Sequence, residues 1–122
     1  MFGLLTKFLF ILIFCFFFLS QTCGAKMYEK DYVNMYCTGK IEFMLPDKTR
    51  VDCLTDEYAI EFDYAKKWAE SIGQSLYYSK MTDRKPAVAI IVKKPSDKKY
   101  IMRIFKAEPN ITVFIIPACK DD

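Results

Sequence analysis

Residues 58–92, YAIEFDYAKKWAESIGQSLYYSKMTDRKPAVAIIV, contain a complete strand–helix–strand unit. Residues 58–62 form a short, mostly apolar run that predicts a strand. Apolar residues then recur at helical spacing over 64–81, and 87–92 are apolar throughout, as in a strand buried on both faces. A strand, a helix and a second strand in this order predict a parallel crossover.

Shorter elements surround this unit. The sequence predicts a helix at 27–37 (with Gly39 as its stop signal), strands at 40–45 and 50–54, a helix at 96–107 and a strand at 111–116. The element order is therefore α-β-β-β-α-β-α-β. This order predicts an α/β fold with a mixed central sheet flanked by helices, and we expect one domain over 26–122.

Residues 1–25 have the layout of a secretory signal peptide. Lys7 is the only charged residue before Lys26, and the apolar run 8–19 that follows it is too short to cross a bilayer as a helix. The tripeptide Cys-Gly-Ala at 23–25 is typical of a cleavage site, so we expect cleavage after its second or third residue. The alternatives are lipoprotein processing at the cysteine, a buried N-terminal helix and a retained membrane anchor. These features predict an exported protein, periplasmic or secreted, without a stable membrane anchor after cleavage.

The composition excludes several kinds of chemistry. The chain has no histidine, which rules out histidine-based triads and histidine-ligated metals. It has no Cys-x-x-Cys pair, so a zinc site is not expected. Any metal would be held by carboxylates, which favours Mg²⁺ or Mn²⁺. The formal net charge of +3 falls to +2 without Lys7, which is too small to indicate nucleic-acid binding by itself.

Three cysteines follow the predicted signal peptide, and two of them can pair in an oxidising compartment. A bond between Cys37 and Cys53 would join the first helix to the second strand. It would close a loop of roughly 15 residues and contribute about 3 kcal/mol in the chain-entropy model. Cys119 would then stay free.

Acidic residues occur on two neighbouring predicted strands. Asp52 lies on the second strand, and Glu61 and Asp63 lie at the end of the third, on one face of it. Glu61 interrupts an apolar strand, where an unpaired carboxylate is costly. Carboxylates that converge at strand ends can hold divalent ions. The alternatives are that Asp52 is a structural residue paired with Arg50 or a lysine, and that Glu61 and Asp63 are favoured by the dipole of the next helix.

The element order and these acidic residues resemble the core of the PD-(D/E)XK, or restriction-endonuclease-like, nuclease superfamily. That family has an Asp on the second core strand, then an acidic residue and a Lys at the end of the third. Asp52 and Glu61 match the acidic positions, whereas Asp63 stands where the family has the lysine. The resemblance implies a nuclease that uses Mg²⁺ or Mn²⁺ and no small organic cofactor, with Asp52, Glu61 and Asp63 as metal ligands and DNA as its partner.

The helix that follows supplies the other residues that the resemblance implies. Lys66 or Lys67 can replace the missing ammonium, and we prefer Lys67 because it shares a helix face with Gln74 and Tyr78. Gln74-Ser75-Leu76-Tyr77-Tyr78 also matches the Gln-x-x-x-Tyr motif of the recombination-nuclease branch. In that branch the Gln supports the site and the Tyr approaches the nucleic acid.

The apolar residues of this helix predict a different packed side. They form one arc that is expected to contact the sheet: Ala65, Trp68, Ala69, Ile72 and Leu76. With that arc against the sheet, Lys67, Gln74 and Tyr78 would lie roughly 150° away and point away from the strand ends.

Two functions of different classes follow. In the first, this is a small exported, bacterial-type nuclease that hydrolyses phosphodiester bonds outside the cytoplasm. In the second, the fold is kept without catalysis, and the domain is an envelope protein that binds a partner or nucleic acid. A disulfide-bearing structural module unrelated to nucleases is a third alternative. We interpret Glu29 and Glu42 as surface charges rather than further metal ligands.

Overall fold

A computed structural model describes residues 24–120. The predicted signal peptide lies outside these residues, except for its last two positions. None of the described helices is both long enough and apolar enough to cross a membrane.

The described chain folds into three helices and five strands in the predicted order. They are α1 (Glu29–Tyr36), β1 (Lys40–Met44), β2 (Arg50–Leu54), β3 (Tyr58–Tyr64), α2 (Trp68–Thr82), β4 (Lys85–Val92), α3 (Lys98–Ala107) and β5 (Thr112–Pro117). Short 3₁₀ turns, Ala65–Lys67 and Pro95–Asp97, precede α2 and α3, which therefore begin later than predicted.

The five strands form one mixed sheet in the order β1-β2-β3-β4-β5. The pairs β1–β2 and β2–β3 are antiparallel, and the pairs β3–β4 and β4–β5 are parallel. The predicted α/β class with a mixed sheet flanked by helices is thus confirmed. Both crossovers run in the same direction across the sheet, so α2 and α3 lie on the same face.

The sheet is covered by helices on both faces. On one face α1 packs through Tyr32 and Val33. On the other face α3 packs through Ile101 and Ile104. Strand β4 lies between these layers, and residues 87–91 are all buried, as their apolar run predicts.

Helix α2 packs through a side that only partly coincides with the predicted arc, since Ala65, Trp68 and Ile72 of that arc do pack against the core. Its buried residues are Ser71, Ser75 and Tyr78. Leu76 of the predicted arc is 37% exposed, and Ala69 is exposed as well. The predicted packing arc is therefore wrong for Ala69 and Leu76, because the side of α2 that is buried passes through Ser71, Ser75 and Tyr78.

A disulfide between Cys37 and Cys53 joins the end of α1 to β2, with the two Cα atoms 5.7 Å apart. Cys119 is also disulfide-bonded, so the expectation that it stays free is wrong. The backbone N–H of Cys119 donates to the hydroxyl of Tyr32 at 3.1 Å, which ties the segment after β5 to α1.

Candidate active site

The ladder between β2 and β3 opens at Asp52. The last paired residues on this side are Cys53 and Ile60. One residue further along, the carboxylate of Asp52 accepts a hydrogen bond from the backbone N–H of Phe62 at 2.9 Å. The side chain of Asp52 thus takes the place of a backbone partner, and its carboxylate lies between the two strands.

Asp52 and Glu61 form a hydrogen-bonded pair of carboxyl groups. Glu61 is only 6% exposed. Burial, together with the charges of Asp52 and Asp63, raises the pKa of Glu61 to about 9. Burial also raises the pKa of Asp52, against the opposing effect of the Phe62 N–H. Near neutral pH this pair is therefore stabilised by a proton or a cation between its oxygens.

Asp63 lies next to the pair at the end of β3, where it meets Glu29 from α1. The ammonium of Lys67 is 3.1 Å from Glu29 Oε1 and 3.5 Å from Asp63 Oδ1. Burial and the charge of Glu29 raise the pKa of Asp63 to about 7, although Lys67 lowers it. The hydrogen bond to Glu29 and the charge of Asp63 raise the pKa of Lys67, which therefore stays an ammonium.

Helix α2 closes the site on the side of the sheet that carries Glu61. Tyr78 is 7% exposed, and burial and the charges of Glu61 and Asp52 raise its pKa. The expectation that Tyr78 points away from the sheet is wrong, because the packed face of α2 passes through it. Gln74 lies beside this face, and its side-chain amide donates a hydrogen bond to Glu70 at 3.2 Å. The charge of Glu70 also raises the pKa of Asp63.

The site residues chosen from the sequence lie around one cluster. Asp52, Glu61, Asp63 and Lys67 interact directly, Tyr78 adjoins them, and Gln74 connects to them through Glu70. Arg50 does not pair with Asp52. Its guanidinium is instead 3.3 Å from Glu42 at the surface.

Sequence reasoning missed two residues of the cluster. Glu29 was interpreted as a surface charge, but it pairs with Lys67 across the gap between α1 and α2. Glu70 received no role, although its position three residues after Lys67 and four before Gln74 puts it on their side of the helix. The helical spacing could have identified Glu70, whereas the position of Glu29 depends on how α1 packs.

The oxygen donors of this cluster suit a hard divalent cation. Glu61 Oε2 and Asp63 Oδ1 are buried without a hydrogen-bond partner, and carboxylate oxygens are the ligands that Mg²⁺ and Mn²⁺ prefer. Across residues 24–120, no group of three or more His, Cys, Asp or Glu side chains is already arranged to hold a metal ion. A cation bound by Asp52, Glu61 and Asp63 therefore requires side-chain movements and loss of the proton held by the pair.

Comparisons with protein-family models, curated proteins and solved structures found no match to this chain.

Proposed function

We propose that this chain is a metal-dependent nuclease of the PD-(D/E)XK type that hydrolyses nucleic-acid phosphodiester bonds outside the cytoplasm. The observation that carries the proposal is the buried, hydrogen-bonded pair of Asp52 and Glu61, with Asp63 and Lys67 beside it. The α-β-β-β-α-β order of elements around the pair supports a restriction-endonuclease-like core.

Five residues of the site have a role in this proposal. Asp52 and Glu61, assisted by Asp63, would hold Mg²⁺ or Mn²⁺, which when bound activates water and stabilises charge on the phosphodiester transition state. Lys67 keeps its proton, so it donates hydrogen bonds to the attacking water or to a phosphate oxygen and does not act as the base. Tyr78 borders the site but is only 7% exposed, so a contact of its hydroxyl with the nucleic acid would require the site to open.

Export would limit the substrates that such an enzyme can reach. The predicted signal peptide places the domain away from the chromosome, so the proposed substrates are foreign or extracellular nucleic acids. The expected processing leaves a chain that begins at Ala25 or Lys26. The mass of the protein recovered from the periplasm or the medium tests this expectation. A chain that retains residues 1–20 would overturn it.

A plasmid-nicking assay with purified protein tests the catalytic proposal. We expect cleavage in Mg²⁺ or Mn²⁺ that EDTA abolishes, and a loss of about 100-fold or more in Asp52→Asn and Glu61→Gln. Glu57→Gln is the matched control, because Glu57 is an exposed carboxylate that pairs with Lys85 at the surface. If cleavage persists in both site variants and in EDTA, a contaminating enzyme is responsible and the assignment fails.

The second candidate is a catalytically inactive nuclease-fold protein of the envelope that binds a partner or nucleic acid. The observation that favours it is the ion pair of Lys67 with Glu29, which occupies the ammonium needed for catalysis. Binding of an oligonucleotide without cleavage under every metal condition would select this candidate over the nuclease.

A further inference from the structure

A cavity adjoins the carboxylate cluster. It has a volume of about 490 Å³ and lies beyond the carboxyl ends of the parallel strands β3 and β4. This end of a parallel sheet is where α/β proteins commonly bind ligands. Its walls include Tyr64, Lys66, Lys67, Lys93, Lys94 and Asp97.

The wall that follows β4 is held in place by Asp97. Asp97 is 4% exposed, and its Oδ2 atom accepts hydrogen bonds from the backbone N–H groups of Lys93 at 2.9 Å and Lys94 at 3.3 Å. The ammonium of Lys93 also lies 4.5 Å from the centre of the Tyr64 ring. The backbone that carries two of the lysines is therefore fixed, and Lys93 is directed across the cavity.

The cavity carries an excess of positive charge. Lys67 is paired with Glu29 and Asp63, whereas Lys66, Lys93 and Lys94 form no ion pair with any residue in the range 24–120. Asp97 is the only acidic residue among the lining side chains. Three ammonium groups against one carboxylate leave an excess of two positive charges.

We propose that this cavity binds the terminal phosphate of a nucleic-acid strand. A phosphate monoester carries about −1.5 to −2 charges at neutral pH, which matches the excess, whereas an internal phosphodiester carries only one. Lys67 lines the cavity and also belongs to the carboxylate cluster. A phosphate held here would therefore place the end of the strand beside the proposed metal ligands. The inference rests on the proposed nuclease function, and it predicts preference for phosphorylated ends.

Fluorescence anisotropy in EDTA at about pH 7.5, where metal-dependent cleavage is blocked, tests binding alone. The probes are oligonucleotides of one sequence with a 5′-phosphate, a 3′-phosphate or hydroxyls at both ends, each labelled away from the tested end. We expect one phosphorylated end to bind about tenfold more tightly than the hydroxyl probe. Inorganic phosphate should compete with that probe. The probe that binds more tightly shows whether the cavity holds the 5′ or the 3′ end of the strand.

Charge-matched variants assign the preference to the cavity. Lys93→Gln with Lys94→Gln should remove the preference, whereas Lys80→Gln with Lys106→Gln loses the same charge outside the cavity and should keep it. Equal binding of all three probes, or equal loss in both double variants, would overturn the inference. Metal-dependent cleavage without end preference contradicts the cavity alone. End preference without metal-dependent cleavage of either the plasmid or a linear duplex with phosphorylated ends contradicts the nuclease alone.

Discussion

Glu61 lies within β3, with both neighbours on the strand buried. Its carboxyl group is buried close to Asp52 and Asp63, so ionising it would add a further negative charge there. A proton on Glu61 relieves this repulsion at the cost of metal affinity. The same carboxyl group therefore links pH, stability and cation binding.

We predict that stability falls as pH rises in the absence of metal. Folded Glu61 has a pKa of about 9 against an ordinary value of 4.5, and folded Asp63 has a pKa of about 7 against 3.8. Between these limits the folded state binds more protons than the unfolded state, so the free energy of unfolding decreases with increasing pH. Urea denaturation in EDTA should show a decrease of about 2 kcal/mol or more from pH 5 to pH 8.5.

The variant Glu61→Gln isolates the contribution of this residue. Glutamine does not titrate, so the decrease with pH should be clearly smaller than in the unmodified protein. Mn²⁺ should restore more stability at pH 8.5 than at pH 5, because the cation competes with protons for the same oxygens. Identical pH slopes for the two proteins would contradict the assignment of a protonated Glu61.

At the residue scale, the sequence identifies side chains whose surroundings are local. Glu61 could be predicted because it interrupts an apolar strand, and a buried carboxylate is costly unless it is paired or binds a cation. Glu29 could not be predicted, because its contact with Lys67 joins positions 38 residues apart. The periodicity of residues within α1 does not predict which side chains of α1 contact the start of α2.

At the scale of elements, α2 shows how the pattern of apolar residues can mislead. Ser75 is fully buried, and its hydroxyl donates to the carbonyl oxygen of Ala87 on β4 at 2.9 Å. Ser71 is buried as well and donates within its own helix, to the carbonyl oxygen of Trp68. A hydroxyl with an internal partner can be buried at little cost, so a search for large apolar residues does not find this face.

Gly39, between α1 and β1, provides a prediction at this scale. The sequence marks it as a helix stop, but it does not have a positive φ. A Cβ atom there would lie 2.7 Å from the carbonyl carbon of Leu54 and 2.9 Å from Cα of Thr55. Gly39→Ala should therefore separate the first strand pair and lower the free energy of unfolding by about 1–3 kcal/mol.

Gly73 within α2 is the matched control. A Cβ atom at Gly73 would have nothing within 4 Å, so Gly73→Ala should raise stability by about 0.5–1 kcal/mol through helix propensity. Urea denaturation of both variants measures the two changes. Equal effects of the two substitutions would show that close approach to Leu54 does not explain Gly39.

For the whole molecule, the sequence predicts the order of elements well, because each strand and helix has its own periodicity and turn residues. The parallel pairing of β3 with β4 follows from the helix between them. The opening of the β2–β3 ladder at Asp52 does not follow, because it depends on a side chain that replaces a backbone partner. The proposed site therefore depends on a long-range side-chain contact that periodicity and turn residues do not predict.

The disulfide between Cys37 and Cys53 acts on the molecule as a whole. It links residues 16 positions apart, and in the chain-entropy model such a loop stabilises the fold by about 3 kcal/mol, mainly by restricting the unfolded chain. Cys37→Ala with Cys53→Ala should lower the free energy of unfolding by about this amount. The urea m-value should rise, because the unfolded chain without the bond exposes more surface.

The pH dependence of this double variant shows whether the disulfide only restricts the unfolded chain or also positions α1. Helix α1 is also held by Tyr32 and Val33, which are 1% and 5% exposed in the core. These contacts should keep Glu29 next to Lys67 without the disulfide, so the loss of stability should be equal at pH 5 and pH 8.5. A loss that differs between the two pH values would show instead that the bond positions α1, and with it the charges around Asp63.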